Sequence, residues 1–217
     1  GPLLARMGEA RVSLPGGCAI GTRPVDLFIE GLAKFGASVD IEDGYVVTKA
    51  PRGGLVGTHY VFPKVSVGAT HVMLMAGALA KGETLIENAA MEPEVGNLAD
   101  CLNAMGAKIT GAGTRRIVIE GVKELHGVEH TVIPDRIEAG TFMAAAALAG
   151  EGVTLRRVCR DHMKAITTAI EASGHRVDFN EAGDTCTVHR GEILQGVELS
   201  TAPYPSYPTD MQAQMTA

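Results

Sequence analysis

Cys18 closes the segment Leu14-Pro15-Gly16-Gly17-Cys18, and Arg23 follows it at the head of a helical pattern that opens with Pro24. Two glycines permit a tight turn with positive φ and leave backbone amides uncovered, so a thiol placed after them is presented to solvent. Arg23 stands at the positive end of the helix dipole, which is mildly unfavourable for a lone cation. An anion between the two reverses that sign. Residues 16–27 are therefore a candidate cradle for a phosphate or carboxylate with a thiol beside it. A Gly-rich hairpin turn with an incidental Cys and a surface Arg accounts for the same letters, and the local sequence leaves both readings open.

Two further helix starts carry chemistry-bearing side chains. Lys64-Val65-Ser66-Val67-Gly68-Ala69-Thr70 places a Lys, a capping Ser and free amides ahead of an apolar helix. That is an anion site or ordinary N-capping. Pro208-Thr209-Asp210-Met211-Gln212 reads as a capping Thr with Gln three residues on, which makes Asp210 either a base or a carboxylate that favours the helix dipole. Glu92 and Glu94 flank Pro93, and Asp135, Arg136 and Glu138 open another helix, where first-turn acids are expected.

Other motifs do not hold together. His126-Gly127-Val128-Glu129-His130 spells an inverted zinc-protease motif, but that motif needs one helix face, and the alternation from Gly127 to Ile133 predicts a strand. Gly111-Ala112-Gly113 lacks the third glycine and the helix of a dinucleotide fingerprint, and there is no P-loop. Cys18, Cys101, Cys159 and Cys186 are too far apart for a zinc knuckle or a disulfide framework, which points to a reducing compartment. A chain of 217 residues, 46% apolar and 20% charged, buries a core without such staples. Its net charge of −6 with scattered basic residues provides no footprint for nucleic acid or an anionic membrane. Apolar runs of about ten residues fall short of the ~20 that span a bilayer. Both ends read as cuts, because the chain opens without Met and stops inside a starting helix at Met211 to Ala217.

The elements that must position these residues repeat with a period of about 70 residues. A helix ending in Gly and running into a strand recurs at Leu32 to Val39, Leu102 to Ile109 and Ile170 to Val177. Ala80 to Leu85 likewise matches Gly150 to Leu155, and alternating runs such as Arg116 to Glu120 and Thr185 to His189 predict hairpin strands. One repeat reads β-α-β-α-β-β. In Pro24 to Phe35 the charges Asp26, Glu30 and Lys34 form a stripe opposite Phe28, Leu32 and Phe35, the pattern of a half-buried helix. Thr70 to Ala80 and Gly140 to Ala149 are apolar almost all round and belong inside. The expected fold class is α/β, with buried helices and outer sheets. Asp161 is the expected cap of the helix that Gly174 ends, and a domain boundary is expected around Val132 to Arg136.

Taken together, Leu14 to Leu27, Lys64 to Thr70 and Tyr207 to Gln214, with Ile86 to Glu94 and Pro134 to Phe142, closely resemble the UDP-N-acetylglucosamine enolpyruvyl transferase family. The resemblance covers essentially the whole chain. It implies an inside-out barrel fold of two domains, each of three β-α-β-α-β-β units, here truncated at both ends. Residues 1–133 would be the later part of the domain carrying the Cys loop, and 134–217 a partial second domain of one full repeat and the start of the next. It implies a cytoplasmic enzyme of cell-wall synthesis that takes phosphoenolpyruvate and UDP-N-acetylglucosamine, with no metal or other cofactor, no nucleic acid and no membrane insertion.

Carried over by position, Cys18 matches the loop cysteine that protonates or traps phosphoenolpyruvate and is alkylated by fosfomycin. Arg23 matches a cation shared by both substrates, and Asp210 the group that meets the attacking hydroxyl. Pro24, Val25, Asp26 and Leu27, with Lys64, Val65, Ser66 and Val67, match segments around the uridine and diphosphate. Phe28 stands where some relatives have His. The family's N-terminal Lys-Asn pair and C-terminal arginines have no counterpart in this sequence. A shikimate-pathway enolpyruvyl transferase is the nearest rival, disfavoured by the cysteine loop, and a non-catalytic sugar-nucleotide-binding fragment is the rival from another class.

Overall fold

The computed structural model describes residues 1–14, 25–150 and 152–217. They form two compact units, 1–131 and 132–217, each with its own core.

The first unit contains α1 (Pro2–Met7), β1 (Glu9–Ser13), α2 (Asp26–Lys34), β2 (Ser38–Glu42) and β3 (Tyr45–Lys49). These are followed by β4 (His59–Val61), α3 (Val67–Gly77), β5 (Glu83–Glu87), α4 (Pro93–Ala104), β6 (Lys108–Thr110) and β7 (Arg116–Glu120). The second unit contains α5 (Arg136–Ala149), β8 (Val153–Arg156), α6 (Lys164–Ala172), β9 (Arg176–Phe179), β10 (Thr185–His189) and α7 (Gln212–Thr216).

The sheets repeat one plan. Strand order is β1-β3-β2, then β4-β5-β7-β6, then β8-β10-β9. In each the hairpin's second strand lies in the middle, antiparallel to both neighbours. β4 adds the leading strand, parallel to β5, so residues 59–120 complete β-α-β-α-β-β. No named strand precedes α5 among the described residues, and that repeat runs α-β-α-β-β.

The two helix types of a repeat meet the core differently. α2, α4 and α6 lay one face on it, through Leu32, Val95 and Leu102, and Ile166 and Ile170. Gly36, Gly106 and Gly174 follow them at φ +87°, +101° and +95°, a backbone that disfavours any Cβ and lets the chain turn from helix to strand. α3 is covered on every side, with none of its residues exposed and with Met73 and Leu74 at the centre. β5 and β7 close over it with Ile86, Ile117 and Ile119, all fully buried. α5 buries Met143, Ala144, Ala146 and Ala147, whereas Phe142 and Leu148 remain about half exposed.

Three local expectations are corrected. The strand from Gly127 to Ile133 is absent, because residues 121–135 are irregular. That segment hangs on isolated backbone bonds, Gly121 N to Gly82 O, Val122 N to Ala78 O and His126 N to Met105 O, with no partner strand to propagate a ladder. Asp161 does not cap α6. It sits in a 3₁₀ turn (Arg160–His162), and Lys164 three residues on draws its carboxylate into an ion pair at 2.8 Å. Thr209 caps nothing either, since Thr209–Met211 is a 3₁₀ turn behind Pro208 and α7 begins only at Gln212.

The unequal burial of two helical methionines makes a stability test. Met73→Ala in α3, at 1% exposure, is expected to cost about 2–5 kcal/mol. Met7→Ala in α1, at 68%, should change stability by less than ~0.5 kcal/mol. Urea unfolding followed by circular dichroism reads both, and equal losses would contradict the covered position of α3.

Candidate functional site

In the first unit the heads of α2 and α3 pack together. Ser66, extended at φ −144° and ψ 116°, caps α3 by accepting from the Ala69 amide at 3.3 Å. The Val67 and Gly68 amides, in the first turn, have no acceptor within the helix and carry its positive end. Val25 occupies the N-cap position of α2, Asp26 lies in its first turn, and Leu27 is buried. The junction is tight: a Cβ on Gly68 would come within 2.8 Å of Phe28 Cζ. Phe28 therefore rests on the first turn of α3.

Lys64 Nζ lies 3.8 Å from Asp26 Oδ2, with the two side chains 61% and 52% exposed. Such a pair is worth little to stability, being screened by water. It leaves an ammonium close to the unmet first-turn amides of the α3 head, a place suited to an anion.

Behind this corner the α3 head is braced. Thr70 Oγ1 donates to Ser66 O at 2.7 Å and accepts from the Ala90 amide at 3.2 Å, joining α3 to the segment after β5. Asn88, at φ +54°, donates from Nδ2 to Phe62 O at 2.8 Å and fixes the other side of that segment. His71 lies half-buried in the next turn, with Nε2 unpartnered. Burial pushes its pKa down. A hydrogen bond to the Glu94 backbone and the Glu94 and Glu92 carboxylates pull the other way.

In the second unit Asp210 is the exposed middle residue of its 3₁₀ turn, between the buried Tyr207 and Met211. Tyr207 Oη donates to Met211 O at 3.3 Å, and burial pushes its pKa up to about 12. Asp135 caps α5 by accepting from the Ile137 and Glu138 amides at 2.8 and 3.0 Å. The Arg136 guanidinium, on a residue only 8% exposed, stands 5.5 Å over the Tyr204 ring.

Of the residues singled out in the sequence, Cys18, Arg23 and Pro24 lie outside the described residues. Val25, Asp26, Leu27, Lys64, Val65, Ser66 and Val67 gather at the α2–α3 corner, and Asp210 belongs to the second unit. His126 and His130 do not converge: His126 Nδ1 is 3.1 Å from Gly127 O, and His130 Nε2 is 2.9 Å from Asn97 Nδ2. Among the described residues no three His, Cys, Asp or Glu side chains gather as a metal would need. No helix among them is long and apolar enough to cross a membrane. Sequence reasoning passed over Thr70 and His71. Thr70 stands one turn after the capping Ser66, a spacing that could have marked its hydroxyl.

Central helices wrapped by repeated sheets, with helix heads at the corner, are the architecture of the enolpyruvyl transferases. The enolpyruvyl transferase NikO from Streptomyces tendae superposes with a TM-score of 0.80 at 25% identity, over 98% of this chain and 51% of that one. The EPSP synthase of Acinetobacter baumannii gives 0.60 at 25% identity, over 91% and 46%. The chain belongs to the EPSP synthase (3-phosphoshikimate 1-carboxyvinyltransferase) family, whose pattern matches residues 1–217. Within it, similarity is much higher to the UDP-N-acetylglucosamine 1-carboxyvinyltransferase of Chelativorans sp. (strain BNC1), 57% identical over 217 residues. The chain spans about half the length of the curated relatives it matches, 50% in that case.

The position of His71 predicts a pH effect. Its pKa is depressed below the ordinary 6.5 in the folded state, so the unfolded chain binds the proton more readily. Stability is then full above about pH 6.5 and is lost as pH falls through the folded-state pKa. His71→Asn is expected to flatten the decline in unfolding free energy between about pH 7 and pH 5. Denaturant titrations at several pH values measure it, and an unchanged slope would count against the buried imidazole as its source.

Proposed function

We propose that this chain is half of a UDP-N-acetylglucosamine 1-carboxyvinyltransferase. The full-length enzyme transfers the enolpyruvyl group of phosphoenolpyruvate to the 3′-hydroxyl of UDP-N-acetylglucosamine and releases phosphate, the first committed step of peptidoglycan synthesis in the bacterial cytoplasm. The observation that carries this reading is the α2–α3 corner, where Lys64, the capping Ser66 and the first-turn amides of α3 lie beside Asp26. That arrangement suits a diphosphate. Identity of 57% to a relative of that name supports the choice of sugar nucleotide.

In this reading Pro24, Val25, Asp26 and Leu27, with Lys64, Val65, Ser66 and Val67, surround the uridine and diphosphate. Asp210 takes the proton of the 3′-hydroxyl as its oxygen bonds to C2 of phosphoenolpyruvate. Cys18 delivers a proton to C3, or first traps the substrate covalently, and Arg23 offsets the charge of phosphate and carboxylate. Loss of a C3 proton then expels phosphate from the tetrahedral ketal and restores the double bond. Residues 1–133 belong to the domain of the Cys loop and 134–217 to part of the other domain.

Because the remaining cations of the phosphoenolpyruvate site have no counterpart here, the isolated chain is expected to lack transferase activity. Phosphate release that requires UDP-N-acetylglucosamine and disappears in Cys18→Ala would contradict this. The full-length enzyme should be inactivated by fosfomycin through a covalent adduct on Cys18, located by peptide mass spectrometry. An adduct elsewhere, or none, would sink the proposed role of Cys18.

A further inference from the structure

The turn that carries Asp210 has no side-chain cap, and Asp210 itself is exposed. Its position is therefore decided by the residues on either side of it, and two of those are tied to α5. Met211, fully buried, packs on Gly140, where an added Cβ would lie 3.0 Å from both Sδ and Cε. Gln214 donates from Nε2 to Thr141 Oγ1 at 3.0 Å. The Gln214 Oε1 atom is buried without a partner, so that bond is what orients the amide.

Thr141 is placed to accept because its own proton is already committed. Its hydroxyl donates to Ile137 O at 2.8 Å, one turn back along α5, which turns the remaining lone pairs toward Gln214. The same oxygen lies 3.9 Å from Met211 Sδ. One hydroxyl thus touches the residue directly after Asp210 and the residue four positions on. The start of α5 is fixed in turn by the Asp135 cap.

We propose that Thr141 is a positioning residue for Asp210, acting through its hydroxyl on Gln214 and Met211. The inference rests on the reading of Asp210 as the group that meets the attacking hydroxyl. Displacing such a group by about 1 Å costs up to about 100-fold in rate even when the change is remote from the chemistry.

Thr141→Val keeps the branched shape and volume but removes the acceptor, whereas Thr141→Ser keeps the hydroxyl and loses the methyl. In the full-length enzyme Thr141→Val is expected to lower kcat on the order of 10- to 100-fold with KM for phosphoenolpyruvate and Tm near wild type. Thr141→Ser should stay near wild type in kcat. Asp210→Asn with Thr141→Val should fall no further than Asp210→Asn alone, since both changes act through one group. Wild-type kcat in Thr141→Val, equal impairment in Thr141→Ser, or multiplicative losses in the double variant overturn the positioning role while leaving the function intact. An Asp210→Asn enzyme as active as wild type removes the reading of Asp210, and this inference with it.

Discussion

An apolar helix with no polar face has to be enclosed, because every side of it left in water forfeits transfer free energy and every gap forfeits packing. α3 meets that requirement within its own unit. Its residues leave no face exposed, and they face strands, helices and the segment after β5 at once. The consequence runs outward. Sheets must lie outside the helix, so their inward residues Ile86, Ile117 and Ile119 are fully buried while alternate positions on the same strands meet solvent. Helices of the second kind then need only one apolar face. α2 has one, and its charged residues Asp26, Glu30 and Lys34 are exposed.

That arrangement also decides where chemistry can be done. A covered helix can offer a ligand only its end, and the N-terminal end is the one with unmet donors. Ser66 satisfies the Ala69 amide, Thr70 ties the turn to Ala90, and Gly68 gives Phe28 room to bring α2 alongside. The corner is thus made by packing constraints first. Lys64 adds charge to a place that the backbone already favours for anions.

Much of this was legible in the sequence because it follows from period and punctuation. The repeats were announced by the glycines after α2, α4 and α6, whose positive φ leaves few alternatives, and the hairpin strands at Arg116–Glu120 and Thr185–His189 fell where alternation put them. Ser66 could be read as a cap because it directly precedes an apolar helical run. What escaped depended on partners distant in the chain or on competition between nearby ones. Alternation from Gly127 to Ile133 had the letters of a strand but no edge to pair with. Asp161 lost its role as a cap to Lys164, and Thr209 to a tighter turn. The bond from Gln214 to Thr141 joins residues 73 positions apart, which no local pattern encodes.

The enclosure of α3 has a kinetic side. Amides in the middle of a helix that has no exposed face can meet solvent only when the surrounding sheet and helices open with it, so their exchange with deuterated water follows the global opening of the unit. Ser66 and the first turn of α3 are continuous with that stretch. The corner proposed to take an anion is therefore rooted in a stretch whose amides are expected to exchange slowly, and its geometry is set by packing alone.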